Sequence, residues 1–378
     1  MNRTRSSLAG WTTLCLGALT ASLGLTGVAA AEPGSRSSAA PDIRVFVNSG
    51  LNNPRGLRFG PDGYLYVAEG GTGGTNPACT QVPAVGPYTG SDTGGRISRI
   101  DAKGHRTTVT DTLPSSQTSD ATGRLTSGVA DIAFIDGTMY ALLAGAGCSH
   151  GVTTPNGVAR INRDGTWKLI ANLSAYQQAN PVKNPNPGDF EPDGTWWSMV
   201  AAHDDLYAVE PNHGEMVKIT TKGKITRVID ISASQGHVVP TSIAHHGVFY
   251  VSNLGTFDPD QLNTQSVFRI TPSGHLRVVA NGLSKVLGMA FDEHGRLYVL
   301  ETSYSATDPG PVPGTGRLIR LGPHGKQEVL IDSTSGLLTF PTGMTFGPDG
   351  ALYISNVGFG PPPIGLGQIL RIVVPDAD

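Results

Sequence analysis

Short apolar runs alternate with turn residues along most of this chain, and one arrangement of them recurs. GLRFGPDGYLYVAEGG, residues 56–71, returns as GMTFGPDGALYISNVG, residues 343–358. Four further copies lie between: DIAFIDGTMYALL (131–143), SMVAAHDDLYAVE (198–210), SIAHHGVFYVSN (242–253) and GMAFDEHGRLYVLE (288–301). In each, an apolar run leads through a turn such as PDG, IDG or EHG into an aromatic and β-branched run. Two short strands around such a turn form a hairpin. The anchors of the six copies are Tyr66, Tyr140, Tyr207, Tyr250, Tyr298 and Tyr353.

A second phrase follows every copy. It reads GRISRID (95–101), GVARINRDG (157–165), GEMVKITTKG (214–223), SVFRITPSG (266–274), GRLIRLGPHG (316–325) and GQILRIV (367–373). After the first five comes a further strand-like run: HRTTVT, WKLIAN, KITRVID, HLRVVAN and KQEVLI. The sixth unit stops one strand short. DIRVFVNSG (42–50), ahead of the first unit, resembles the missing run. The pattern predicts an all-β fold, a six-bladed β-propeller of four-stranded antiparallel blades over 42–375, closed by an N-terminal strand that completes the last blade.

With the strands of each blade lettered a to d from the axis outward, a–b and c–d turns share one face. The b–c loops and the d-to-a links share the other. The first class is uniformly tight. Nearly every long insertion falls in the second: the b–c loops at 70–94, 144–156, 254–265, 303–314 and 357–366, and the links at 110–127 and 173–196. Binding and catalysis concentrate on loops held by a rigid scaffold. The elaborated face is therefore the candidate one.

Composition changes the picture at the ends and in the choice of partners. Arg3 and Arg5 precede an apolar stretch, Leu8 to Ala31, that closes on VAAA. A basic start, an apolar middle and a small-residue exit describe a secretory signal peptide at 1–31, followed by a short disordered leader at 32–41. The mature protein is expected to be secreted or periplasmic, with no later apolar run long enough to span a bilayer. Losing two arginines leaves 25 basic against 30 acidic residues, a formal charge of about −5. That offers no electrostatic case for nucleic acid or an anionic membrane. Cys15 leaves with the signal, and Cys79 and Cys148 are expected to pair as one disulfide in an oxidising compartment. The 50 glycines and 27 prolines suit an all-β protein with many tight turns, and a monomer is expected.

The chain also resembles the ScyD/ScyE family of exported propellers, relatives of NHL-repeat proteins, over its whole mature length. The resemblance is carried by NNPRGLRFGPDGYLYVAEGGTGG (52–74), YTGSDTGGRISRI (88–100), LPSSQ (113–117), ANPVKNPNPGDFEPDG (179–194) and AVEPNHGEMVKITTKGKITRV (208–228). Two stretches beside the axis, EPDGTWWSM and VEPNHG, depart from the family pattern. The resemblance implies fold and export and leaves the reaction open.

Three residues beyond each anchor tyrosine stand Glu69, Leu143, Glu210, Asn253, Glu301 and Asn356. An acid or amide there either caps backbone N–H groups of the b–c turn or contributes to a collar for a hard cation such as Ca2+, which takes several oxygen ligands. Glu69, Glu210 and Glu301 are the candidate metal residues. Gluconolactonase-like propellers place a ligand just before strand a; here that row reads Arg55, Ala130, Trp197, Thr241, Leu287 and Thr342, with Asp131 one step further on. His213 falls in a b–c turn on the loop face, whereas His203, His245 and His246 belong to a–b hairpins on the plain face. His150 and His237 have no visible partners in sequence. Trp196, Trp197, Tyr176, Phe190 and Phe359 supply aromatics to the loop face.

Arg55, Glu69, Asp131, Trp197, Glu210, His213, Asn253, Glu301 and Asn356 together mark an axial mouth. Three functions remain open: a non-catalytic propeller binding a small molecule or protein, a metal-dependent lactonase-like or lyase-like enzyme, and a scaffold in a biosynthetic or cell-envelope assembly. The exported protein is expected to begin at Glu32. Intact-mass measurement of material from the culture medium checks this, and a retained apolar segment would refute it.

Overall fold

The computed structural model describes residues 40–80, 82, 86–255, 261–305, 311–358 and 364–375. The signal segment, nearly all of the leader and Phe359 lie outside the described residues, as do parts of the long loops of blades 1, 4, 5 and 6. Among the described residues, six antiparallel sheets each contain four main strands. Blade 1 comprises Pro54–Phe59, Leu65–Glu69, Thr89–Ile100 and Arg106–Gln117. Blade 2 comprises Val129–Ile135, Thr138–Leu143, Gly157–Ile161 and Trp167–Asn172, and blade 3 Ser198–Ala202, Asp205–Glu210, Glu215–Thr220 and Ile225–Asp230. Blade 4 comprises Pro240–His246, Val248–Asn253, Gln265–Ile270 and Leu276–Leu283, and blade 5 Val286–Phe291, Leu297–Glu301, Arg317–Leu321 and Gln327–Ile331.

Blade 6 closes the ring. Its strands Gly343–Phe346, Leu352–Asn356 and Gly367–Val373 are completed by Asp42–Leu51 from the other end of the chain. The register runs from Asp42 opposite Val373 to Leu51 opposite Gly367. The innermost strands touch in cyclic order, and blade 6 meets blade 1. Thr342 Oγ1 fastens that seam by donating to the carbonyl of Pro54 at 2.7 Å.

The repeated phrases have a shared structural cause. In all six blades the anchor tyrosine lies opposite a basic residue of strand c: Arg99, Arg160, Lys218, Arg269, Arg320 and Arg371 in turn. In three blades the a–b turn aspartate accepts from the tyrosine; in blades 1 and 6 it also pairs with the strand-c arginine, and in blade 5 with Arg296 instead. Tyr66 Oη donates to Asp62 at 2.9 Å, Tyr298 to Asp292 at 3.3 Å and Tyr353 to Asp349 at 3.1 Å. The same carboxylates accept from turn N–H groups, as Asp349 does from Ala351. The turn thus closes on its own side chain, which is why PDG precedes the tyrosine by so fixed a distance. In blades 2 and 3 the turn is a two-residue one. Asp136–Gly137 and His203–Asp204 all have positive φ, as the common two-residue hairpin turn requires.

Alternate residues of each strand face the neighbouring blades, so the core is distributed over the six junctions. One apolar cluster fills each junction, for example Tyr66, Ile97, Ile132 and Leu143 between blades 1 and 2. Leu51, Leu57, Tyr353 and Ile369 fill the junction at the seam. A seventh, smaller cluster of Val239, Leu254, Leu287 and Phe340 packs Trp197 on the loop face. No helix of the described residues is long and apolar enough to cross a membrane.

Cys79 and Cys148 form a disulfide between the b–c loops of blades 1 and 2. Cross-linking residues 69 apart in sequence stabilises a fold by about 4 kcal/mol through lost chain entropy in the unfolded state. Deleting residues 42–49 should leave blade 6 three-stranded and the ring latched only by side chains. Thermal unfolding of the truncated protein is expected to broaden and fall by well over ten degrees; a parent-like melt would contradict the closure.

Candidate functional site

The residues three beyond the anchor tyrosines end strand b and hold the adjoining connections. Glu69 is fully buried and accepts from Asn52 N at 2.6 Å, from Arg96 Nε at 2.9 Å and Nη2 at 2.6 Å, and from Ser98 Oγ. Glu301 accepts from Ser284 N at 2.7 Å and Arg317 Nε at 2.6 Å. Burial pushes its carboxyl above the usual range, against the pull of Arg317. Asn356 Oδ1 accepts from Thr339 N at 2.9 Å, and Asn253 Oδ1 from Ser266 N at 2.9 Å. Four of the five pin the link that enters their blade or the blade's innermost strand, and all five are engaged at the b–c end of the sheet. Among the described residues no group of three or more His, Cys, Asp or Glu side chains stands close enough to hold a metal ion.

Glu210 belongs to a larger network. It accepts from Thr195 N at 2.8 Å and His213 N at 2.6 Å, while its Oε2 lies 3.2 Å from His213 Nδ1. The Gln177 side-chain amide lies 2.7 Å from the same nitrogen, and Phe190 packs edge-on at 5.0 Å. Burial raises the Glu210 carboxyl, but His213 and the three hydrogen bonds outweigh it and hold it below the ordinary range. Burial likewise opposes charge on His213, and Glu210, with help from Glu215 and Glu191, overcomes it and lifts the imidazole above its ordinary value.

The row expected ahead of strand a lies at its first residues in blades 1, 2, 4 and 5 and fastens blade to blade. Arg55 Nη2 donates to Thr126 O at 2.5 Å, Thr241 Oγ1 to Val286 O at 2.5 Å, and Thr342 Oγ1 to Pro54 O. Asp131 does the same for blade 3, accepting from Ser198 Oγ at 3.0 Å and Met199 N at 2.8 Å. Burial raises its carboxyl despite nearby Arg58. Asp131, Arg58, Trp197 and Ser198 line an axial cavity of about 20 Å³, room for roughly one water.

Above that constriction the loop face opens into a pocket of about 440 Å³. Arg55 and Trp197 meet within it, the guanidinium carbon 4.4 Å from the ring centroid. Burial lowers the Arg55 pKa to about 10, which leaves it charged at neutral pH. Tyr88, from the start of strand c in blade 1, forms one wall, and its hydroxyl donates to Glu191 Oε1 at 3.4 Å. Burial, then Glu191, pushes that phenol well above its usual range. Behind it, fully buried His150 lies 3.2 Å from Glu191 Oε2 and packs its ring on Tyr88 at 4.4 Å. The loop bearing His150 comes that close because residue 90 is glycine; a Cβ there would meet His150 O at 2.2 Å. Two residues before Glu191 on the same link, Asp189 Oδ2 lies 2.9 Å from His237 Nε2, and Asn212 Nδ2 donates to Asp189 O at 3.1 Å.

Of the residues expected at the axial mouth, the pocket brings together Arg55 and Trp197. Asp131 lies in the axial cavity, and His213 and the five strand-end residues line neither. Tyr88, Asp189, Glu191 and Asn212 were missed, while Thr241 and His237, the latter without a visible partner in sequence, also line the pocket. The signal within reach was the long link at 179–194, whose EPD supplies Glu191 and Asp193; Asp193 anchors the His150 loop through Ser149. Two larger recesses, about 610 and 710 Å³, open between blades on the plain face, each walled by only two blades.

No protein-family model and no curated protein matches the chain. Solved structures do. A structural genomics protein of unknown function from Bacteroides thetaiotaomicron is 13% identical, with a TM-score of 0.55 over 89% of this chain and 76% of that one. A putative oxidoreductase (glucose dehydrogenase) from Thermus thermophilus is 17% identical, with a TM-score of 0.54 over 88% and 100%. The PQQ-bound aldose sugar dehydrogenase of Streptomyces coelicolor is 16% identical, with a TM-score of 0.50 over 89% and 100%. At such identities these likenesses show the six-bladed propeller fold shared with NHL and gluconolactonase-type proteins.

The charge on His213 gives the fold a pH signature. Because folding raises this imidazole's proton affinity, its stabilisation is complete below the ordinary histidine value and is lost as pH rises through the elevated one. Denaturant midpoints should therefore fall between the ordinary and the elevated value. His213→Gln should flatten that step; an unchanged profile would count against it.

Proposed function

We propose that this propeller is an exported binding protein of the ScyD/ScyE kind whose loop-face pocket takes a small molecule. The carrying observation is the convergence of that pocket. Strand ends, b–c loops and links from blades 1 to 4 meet around Arg55 and Trp197, above a channel too narrow for a ligand to pass. Its size lies within the range of small-molecule sites, roughly 300 to 1,000 Å³. The disulfide supports export, since such bonds persist in oxidising compartments. The metal-dependent alternative would require Glu69, Glu210 and Glu301 to release the partners they now hold, and it has less support.

Gly188 lines the pocket from an exposed link and has an ordinary φ, so a bulky residue there blocks the mouth at little cost to the fold. Ligand-observed NMR with a chemically diverse fragment library should give hits that Gly188→Trp abolishes and plain-face His246→Ala leaves intact, both at parental melting temperature. Hits that survive Gly188→Trp and vanish with plain-face substitutions would place the site elsewhere.

A further inference from the structure

We infer that the ligand of this pocket is a neutral polyhydroxylated ring, a saccharide in chemical class; the inference rests on the binding reading above. It begins with charge. One guanidinium, Arg55, and the His237 imidazole, 2.9 Å from Asp189, face the pocket with two carboxylates, Asp189 and Glu191, so that no excess of either sign is left over. An anion entering would meet both carboxylates in a confined site where like charges are weakly screened. A cation would have to share Trp197 with the guanidinium that already lies over that ring. The balance of fixed charge selects against either sign.

The lining then selects among neutral ligands. Beside the charged groups stand Asn186, Asn212, Thr195 and Ser127, all short side chains bearing amides or hydroxyls. A neutral ligand without its own donors and acceptors would bury the capacity these groups keep beyond their contacts to Asp189, Glu191 and Gly188, and return nothing. Vicinal hydroxyls suit the set: each donates to a carboxylate and accepts from a guanidinium or amide N–H. Trp197, Leu125, Val239 and Leu254 contribute apolar surface to the same cavity, which fits the C–H face of a sugar ring. Neither feature alone distinguishes a saccharide. Their combination in one pocket with no excess of positive charge does.

The test is titration of the mature protein with D-glucose, D-galactose, maltose and cellobiose, alongside D-glucuronate and D-glucosamine, followed by ligand-observed NMR and calorimetry. At least one neutral sugar should bind saturably, about tenfold or more tighter than the charged sugars. Gly188→Trp should abolish that binding. Asp189→Asn, at unchanged melting temperature, should narrow the preference for the neutral sugar over glucuronate. A charged sugar bound more tightly than the neutral ones would overturn the inference. So would a panel of sugars that all fail while library fragments still bind and are displaced by Gly188→Trp; the binding reading would then stand and the ligand class would fall. If neither sugars nor fragments respond to Gly188→Trp, both fail together.

Discussion

Everything on the loop face depends on one strand pairing, Asp42–Leu51 against Gly367–Val373. A ring of blades has no edge only if its last blade is whole. Closure brings the innermost strands of blades 6 and 1 together, and Thr342 and Pro54 join across it. Once the ring is shut, the axis is narrow and six sets of connections must crowd one rim. The pocket is what that crowding leaves open, so its geometry is inherited from a contact made at the outside of the molecule between the two ends of the domain.

The buried acids are the second constraint. Burying a carboxylate costs several kcal/mol unless it is paired and hydrogen-bonded. Glu69, Glu210 and Glu301 meet that condition with arginine or histidine partners and link N–H groups. The repeat thus spends its charge on holding loops, and the loops in turn present a different set of residues to the ligand. Sites and scaffold are separated along the sequence even where they touch in space.

That separation explains what was legible beforehand. The blades could be read because hairpin turns and strand alternation are local, and each of the two phrases keeps its own internal spacing however long the loop between them. The row ending in Glu301 and Asn356 could be found as a position, but whether it faced the axis or the links depended on partners such as Ser284 and Thr339 that follow no repeat. Arg55 and Trp197 could be named because the repeat places their row at the inner end of the blades, beside the axis. Tyr88 and Glu191 are 103 residues apart, and the long link that joins them in space has no period from which a contact could be inferred.

The disulfide reaches further than the two loops it joins. Cys148 runs directly into the turn that carries Ser149 and His150. Ser149 donates to Asp193, and Tyr88, beyond Cys79 in the other loop, donates to Glu191. Both acids belong to the link that also carries Gly188 and Asp189. A covalent bond between blades 1 and 2 thus steadies the connection into blade 3 as well, so the side of the pocket that no cysteine touches still takes its position from the cross-link.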